Sequence, residues 1–292
     1  MTSSALPYPA TTTRLLDHPA ALTNIIRRIA EEAGEAILPY YDESGYTGET
    51  QIKADNSPVT LADHAADKVI REALADSFPG IPILTEETVK QVNPEALFEA
   101  PHYWVVDPLD GTRHFREGSP YFTVNIALVE GGRPTAGVIL LPATGEGYAG
   151  WVGGRAFRWN EETEREHDMK VRAVPAAGAV VYTSHTVKNK PLMDSFLSQI
   201  KLARHLHRSS SVKLCEIAAG RADLYPQFRQ TCYWDIAAGQ AILEAAGGAV
   251  LDLKGESLTY GPERPDFINP NFVACGDLDY LRPVLEEFLK AP

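Results

Sequence analysis

Leu22, Ile25, Ile26, Ile29, Ala33 and Ile37 recur at helical spacing and predict an amphipathic helix over 19–41. A second helical stripe, over 61–78, holds Ala66, Val69, Ile70, Ala73 and Leu74. Thr60 is placed as its N-cap with Asp63 at N3, a capping-box pattern. Between the two helices, 41–57 carries Gly45, Gly48 and several polar residues and reads as a mobile loop or loose hairpin. The period then changes. Continuous apolar runs at 81–84 and 103–106 read as buried strands, and from 121 to 159 β-rich runs alternate with glycine turns as in an antiparallel meander.

The charged stretch 161–170 reads as an exposed connection and marks the domain boundary. Beyond it the pattern predicts strands at 179–183, 249–252 and 272–275, and helices at 191–200, 211–220, 234–246 and 278–289. Residues 1–18, rich in Thr, Ser, Ala and Pro, are expected to be flexible. The chain then divides into an α+β half (19–160) and an α/β half (161–292). This order predicts an α/β (α+β) fold of the layered-sandwich kind.

Composition narrows the function. The 292 residues are 44% hydrophobic, enough for a sizeable core, and carry a formal charge of −12. That balance argues against a nucleic-acid partner. Cys215, Cys232 and Cys275 form no Cys-x-x-Cys pattern, which argues against a zinc site or disulfide framework and fits a reducing cytoplasm. No apolar run is long enough to span a bilayer, and the N-terminus lacks the basic–apolar–small progression of a signal peptide.

The chemistry concentrates in Asp107-Pro108-Leu109-Asp110-Gly111-Thr112, where the 103–106 strand ends. Pro108 fixes one φ and Gly111 permits a conformation that other residues avoid, so the two carboxylates sit on a stiff corner. Asp107, the Leu109 carbonyl and Asp110 suit a hard divalent cation such as Mg²⁺, and Thr112 adds a hydroxyl. An isolated run of this kind is as readily a solvated turn. Glu86-Glu87 after the first apolar run, Asp63 and Asp235 shift the balance, because functional residues gather where strands end and helices begin. Asp63 has the alternative of serving only as a cap, and Asp235 of serving only at a helix N-terminus. Metals would also reconcile an acidic protein with an anionic substrate such as a phosphate ester.

Glu86-Glu87, Asp107 to Thr112 and Trp234-Asp235-Ile236-Ala237-Ala238-Gly239, in that order, resemble the signature of the lithium-sensitive, Mg²⁺-dependent phosphatases related to inositol monophosphatase. The resemblance runs from about 22 to 271. The segments 53–60, 122–128, 210–215 and 222–226 are similar to its 3'(2'),5'-bisphosphate nucleotidase (CysQ-type) branch. It implies an αβαβα sandwich and hydrolysis of 3'-phosphoadenosine 5'-phosphate to AMP, removing a by-product of sulfate assimilation. It implies one Mg²⁺ on Glu86, Asp107 and the Leu109 carbonyl, a second on Asp107, Asp110 and Asp235, and a third, weaker ion at Glu86. It implies Asp63 and Thr112 as the pair that activates water, with Glu87 close by. Gly111 and Thr112 N–H groups would receive phosphate oxygens. Ser184, His185, Ser210 and Lys213 match nucleotide-facing positions. At 227 the branch carries Arg where this chain has Gln227, so either Arg229 takes over or affinity for the 5'-phosphate is lower.

All the metal-binding residues but Asp235 fall in the first half, and most nucleotide-facing residues in the second. Homodimers are common in the superfamily, and peripheral attachment at the inner membrane is left open. Rival readings are an inositol monophosphatase or histidinol phosphatase, and a nucleotide-binding regulator without catalysis. The full acidic set with Thr112 and Asp63 argues against the last.

Overall fold

The computed structural model describes residues 7–48, 50–52, 58–184, 188–208 and 210–290. Helix α1 (Ala10–Leu16) leads into α2 (Pro19–Ile37); an antiparallel pair, β1 (Thr50–Ile52) and β2 (Pro58–Thr60), precedes α3 (Leu61–Ser77). Then come β3 (Ile83–Thr85), α4 (Pro94–Glu99), β4 (His102–Asp110) and the short helix α5 (Thr112–Arg116). The meander is β5 (Thr123–Glu130), β6 (Arg133–Leu141), β7 (Glu146–Trp151), β8 (Ala156–Asn160) and β9 (Glu166–Asp168). The second half is β10 (Ala179–Thr183), α6 (Lys190–Ser198), β11 (Leu202–His207), α7 (Val212–Ala218), β12 (Leu224–Gln227) and β13 (Thr231–Cys232). It continues with α8 (Tyr233–Ala245), β14 (Ala249–Asp252), β15 (Ile268–Asn269), β16 (Phe272–Cys275) and α9 (Leu278–Lys290).

Among the described residues, β3 to β9 form a seven-stranded sheet in chain order, and a five-stranded sheet runs β11-β10-β12-β16-β14. Side chains alternate across a strand, so strands apolar at every position are buried on both faces. In β4, Trp104 and Val106 face α2 and α3, whereas Tyr103 and Val105 face the core around α7 and α8. In the second sheet Tyr225, Val250 and Ala274 join that same central core. Leu224, Leu251 and Val273 face a third core containing Met193 and Phe196 of α6 and Leu281 and Phe288 of α9. The layers are therefore α2/α3, sheet, α7/α8, sheet, α6/α9, which is the αβαβα sandwich. Helix α8 is buried on nearly all sides, as the middle layer requires.

Three differences from the sequence reading have physical causes. Residues 10–16, expected to be flexible, form α1; Thr12 is buried with its hydroxyl on the Pro79 carbonyl, and Tyr8 packs edge-on against His102. The first sheet runs past the expected boundary at 160, because β9 pairs with β8. Strand β11 was not anticipated, since it is an exposed edge with only Leu206 partly covered. Residues 53–57 lie outside the described structure.

Candidate active site

Strand β4 delivers the acidic corner. Its pairing with β5 is regular to Asp107 and resumes at Asp110, so Pro108 and Leu109 bulge out between two paired aspartates. Asp107 is 1% exposed, and its Oδ1 accepts the Leu109 N–H at 3.1 Å, which locks the turn. Gly111 then takes φ +88, and a Cβ there would lie 3.2 Å from the Tyr121 carbonyl oxygen. Helix α8 supplies Asp235 in its first turn, where Oδ2 accepts the Cys232 N–H at 2.7 Å.

Asp107, Asp110 and Asp235 present oxygens that all lie within 4.8 Å of one another. Burial holds the Asp110 carboxyl above its usual range; the Ser211 N–H at 3.0 Å and the charges of Lys213, Arg229 and His114 offset part of this. Burial, then the neighbouring Asp110 and Glu86, push Asp235 up to about 7. Three carboxylates packed this closely either hold protons or hold a cation. The donor set is all hard oxygen, so the residues present fit a divalent metal.

Glu86, half-buried after β3, bonds its N–H to the Val106 carbonyl; its charge reaches Asp235, but it lies outside the three-carboxylate cluster. Glu87 is half-buried beside it.

Asp63 shows both readings at once. Oδ2 accepts the Thr60 N–H at 2.7 Å and the Thr60 hydroxyl at 2.6 Å, completing the capping box of α3. Oδ1 faces the Thr112 hydroxyl at 3.1 Å, and the Leu109 carbonyl lies 3.2 Å from the same hydroxyl. A hydroxyl has one proton, and here two acceptors on the protein compete for it. The remaining lone pairs of Thr112 can only accept.

Among the expected nucleotide-facing residues, Ser210 lies in the turn before α7 with φ +58, and Ser184 follows β10. Arg229 is close enough for its charge to lower both Asp110 and Asp235. Gln227 is 3% exposed in β12, and its Nε2 finds no partner among the described residues. His185 lies outside the described residues. Lys213 is placed differently from a ligand-facing cation. It is 3% exposed, donates to the Ser210 and Arg208 carbonyls at 2.8 and 3.2 Å, and lies over the Tyr225 ring. Burial lowers its pKa to about 8, against the pull of Asp110.

Ser211 was not singled out as a site residue. Its N–H serves Asp110, and its hydroxyl bonds the Asn125 Oδ1 at 2.9 Å and faces Thr123 Oγ1 at 3.1 Å. Only its place in the Ser209-Ser210-Ser211 run at a helix start hinted at this.

Residues 18–279 match the family model described as the inositol monophosphatase family. The chain belongs to the inositol monophosphatase family. This is a metal-dependent phosphatase family, and the acidic cluster supplies the donor set that such a family needs. The chain is 41% identical over 248 residues to the 3'(2'),5'-bisphosphate nucleotidase CysQ of Salmonella typhimurium, covering 84% of this chain and 96% of that protein. The CysQ of Escherichia coli strain K12 is 39% identical over the same shares. Among solved structures, CysQ from Bacteroides thetaiotaomicron, described as a bacterial member of the inositol monophosphatase family, superposes with a TM-score of 0.75. The two are 29% identical over 89% of this chain and 99% of the other. The extragenic suppressor protein SuhB of Bartonella henselae gives 0.72 at 27% identity, over 92% and 98%. Family membership explains why the carboxylates of the second and third motifs converge. Among the described residues no helix is long and apolar enough to cross a membrane.

Proposed function

We propose that the chain is a 3'(2'),5'-bisphosphate nucleotidase that removes the 3'-phosphate of 3'-phosphoadenosine 5'-phosphate, giving AMP and phosphate. The 41% identity to a protein of that name, over 84% of this chain, carries the reading. Asp107, Asp110 and Asp235, with Glu86 and the Leu109 carbonyl, would hold two Mg²⁺ ions, which when bound supply charge neutralisation of the phosphate and acidify a water.

The chain's own residues do the rest. Thr112 offers its lone pairs to the attacking water, since its proton is already claimed by Asp63 and the Leu109 carbonyl. Asp63 draws that proton and fixes the hydroxyl's direction, so the pair orients the water, and as it attacks its proton passes to Thr112 while the Thr112 proton passes to Asp63. Glu87 adds negative charge beside the same water. The Gly111 and Thr112 N–H groups receive phosphate oxygens at the turn. Ser184 and Ser210 would face the nucleotide and Arg229 its 5'-phosphate, while Lys213 fastens the 208–213 turn by its carbonyl bonds.

A substrate panel tests this. With Mg²⁺, kcat/KM for 3'-phosphoadenosine 5'-phosphate should exceed that for inositol 1-phosphate, and excess chelator should abolish turnover of both. Preference for inositol 1-phosphate would refute the nucleotidase reading, and full turnover in chelator would refute the metal reading.

A further inference from the structure

Of the residues proposed to hold metal, Asp107, Leu109 and Asp110 stand on β4 and Asp235 on α8, whereas Glu86 stands in the turn after β3. A side chain on a turn is held only as firmly as the turn itself. The Glu86 N–H bonds the Val106 carbonyl at 3.2 Å, which fixes its backbone beside the Asp107 corner. A relay of hydroxyls closes the rest of the turn. Thr88 gives its N–H to the Thr85 carbonyl at 3.3 Å and to Thr85 Oγ1 at 3.1 Å, and the two hydroxyl oxygens lie 2.9 Å apart. Thr85 Oγ1 in turn donates to Asp67 Oδ1 at 2.6 Å. Glu86 and Glu87 are the two residues that this bracket spans.

Asp67 gives the relay its direction. It is 4% exposed on α3, and Thr85 is fully buried. Its other oxygen, Oδ2, accepts Arg71 Nε at 2.7 Å, so the buried carboxylate is paired on one side and bonded to Thr85 on the other. A carboxylate in such an ion pair only accepts. The Thr85 proton therefore points to Asp67, and the Thr88 hydroxyl must donate to Thr85. An amide at 67 could donate as well as accept, and would leave that polarity undetermined. Asp67 also stands one helical turn beyond Asp63, on the same face of α3. One helix face thus reaches both loops of the acidic site: Asp63 meets Thr112, and Asp67 meets Thr85.

We propose that Asp67 is a positioning residue for Glu86, acting through the Thr85 hydroxyl, and that it sets Mg²⁺ affinity without touching metal or substrate. This rests on the metal-binding role proposed for Glu86.

Calorimetric titration of the full-length, substrate-free protein with Mg²⁺ tests this, with thermal unfolding run on the same preparations. Asp67→Asn and Thr85→Val should each weaken Mg²⁺ binding by roughly 10- to 100-fold, the range for removing a group that orients a metal ligand. The double variant should bind no more weakly than the weaker-binding single variant, because both changes cut one relay. Thr85→Ser keeps the hydroxyl and should bind as the wild type does. In a Glu86→Gln protein, itself weakened, Asp67→Asn should change nothing further. An Asp67→Asn protein that melts lower yet binds Mg²⁺ like the wild type has lost only structure, and that result overturns the inference while sparing the metal role of Glu86. Equal weakening by Asp67→Asn with Glu86 present or replaced also overturns it, since Asp67 would then act by another route. If Asp67→Asn does not fold, Thr85→Val against Thr85→Ser makes the same comparison. A Glu86→Gln protein with wild-type Mg²⁺ affinity refutes the metal role of Glu86 and the inference together.

Discussion

Asp63 shows how one side chain carries two roles that sequence alone could not separate. Its position three residues after Thr60 predicted a cap, and a cap it is, through Oδ2. The other oxygen reaches across the fold to Thr112, 49 residues away in sequence, and no local pattern encodes that contact. The two roles separate by substitution. In Asp63→Asn one oxygen remains, and it can keep the two Thr60 donors while the amide turns toward Thr112. The amide would reverse the polarity of the Thr112 bond. We expect a stability loss of no more than about 0.5–2 kcal/mol, with kcat reduced by about 10²–10⁴-fold. Thr112→Ala should lose kcat similarly with little change in stability. Thermal unfolding and steady-state kinetics on the same preparations check this; an Asp63→Asn protein with intact turnover would reduce Asp63 to a cap. The Asp107 corner was legible at this scale because proline, glycine and a strand end all act locally. The commitment of Lys213 to backbone carbonyls was not, because its burial depends on Tyr225 arriving from β12.

Among elements, α8 is the one whose seating matters most to the chemistry, because its first turn carries Asp235. It packs so closely on the first sheet that a Cβ at Gly137 of β6 would lie 2.4 Å from the Ala238 carbonyl oxygen and 2.9 Å from its Cα. Both sides of that contact are backbone, so neither yields without moving the helix or the strand. Gly137→Ala should therefore cost about 1–3 kcal/mol, the range for overpacking, and should also weaken metal binding by displacing Asp235 from Asp107 and Asp110. Denaturant midpoints and a Mg²⁺ titration read the two effects, and a variant with unaltered midpoint and titration would show that the contact relaxes freely. Strands β10, β14 and β16 were readable to the residue, since each is a short apolar run bounded by turn residues. Strand β12 was recognised only as a motif, and Pro226 is a residue that counts against an interior strand. The structure accommodates it: β12 meets β10 only at Leu224, so the donor that Pro226 lacks falls beyond that ladder.

For the whole molecule, the five layers bring together carboxylates from β4 and α8, on opposite sides of a sheet–helix interface, inside a protein of charge −12. Composition disclosed the acidity and periodicity disclosed most layers, but which acids converge is a property of the assembled sandwich. Their convergence links stability to both pH and metal. In the metal-free fold Asp235 is pushed up to about 7, by burial first and then by Asp110 and Glu86. An unfolded Asp titrates near about 3.9. Between those values the metal-free folded state binds more protons than the unfolded chain. The group's contribution to stability is therefore full below the unfolded pKa and is lost as pH rises through the folded one. A divalent cation needs the deprotonated cluster, so it competes with the same protons and stabilises most where they have left. We expect the Tm of chelated protein to fall from this source as pH rises from about 4 to 7. Over the same interval, the Tm gain on adding saturating Mg²⁺ should grow. Paired melting curves with chelator and with Mg²⁺, taken across that interval, measure both slopes. A Mg²⁺ gain that stays constant with pH would show that Asp235 is ionised regardless of metal, and that the cluster is neutralised by Lys213 and Arg229 alone.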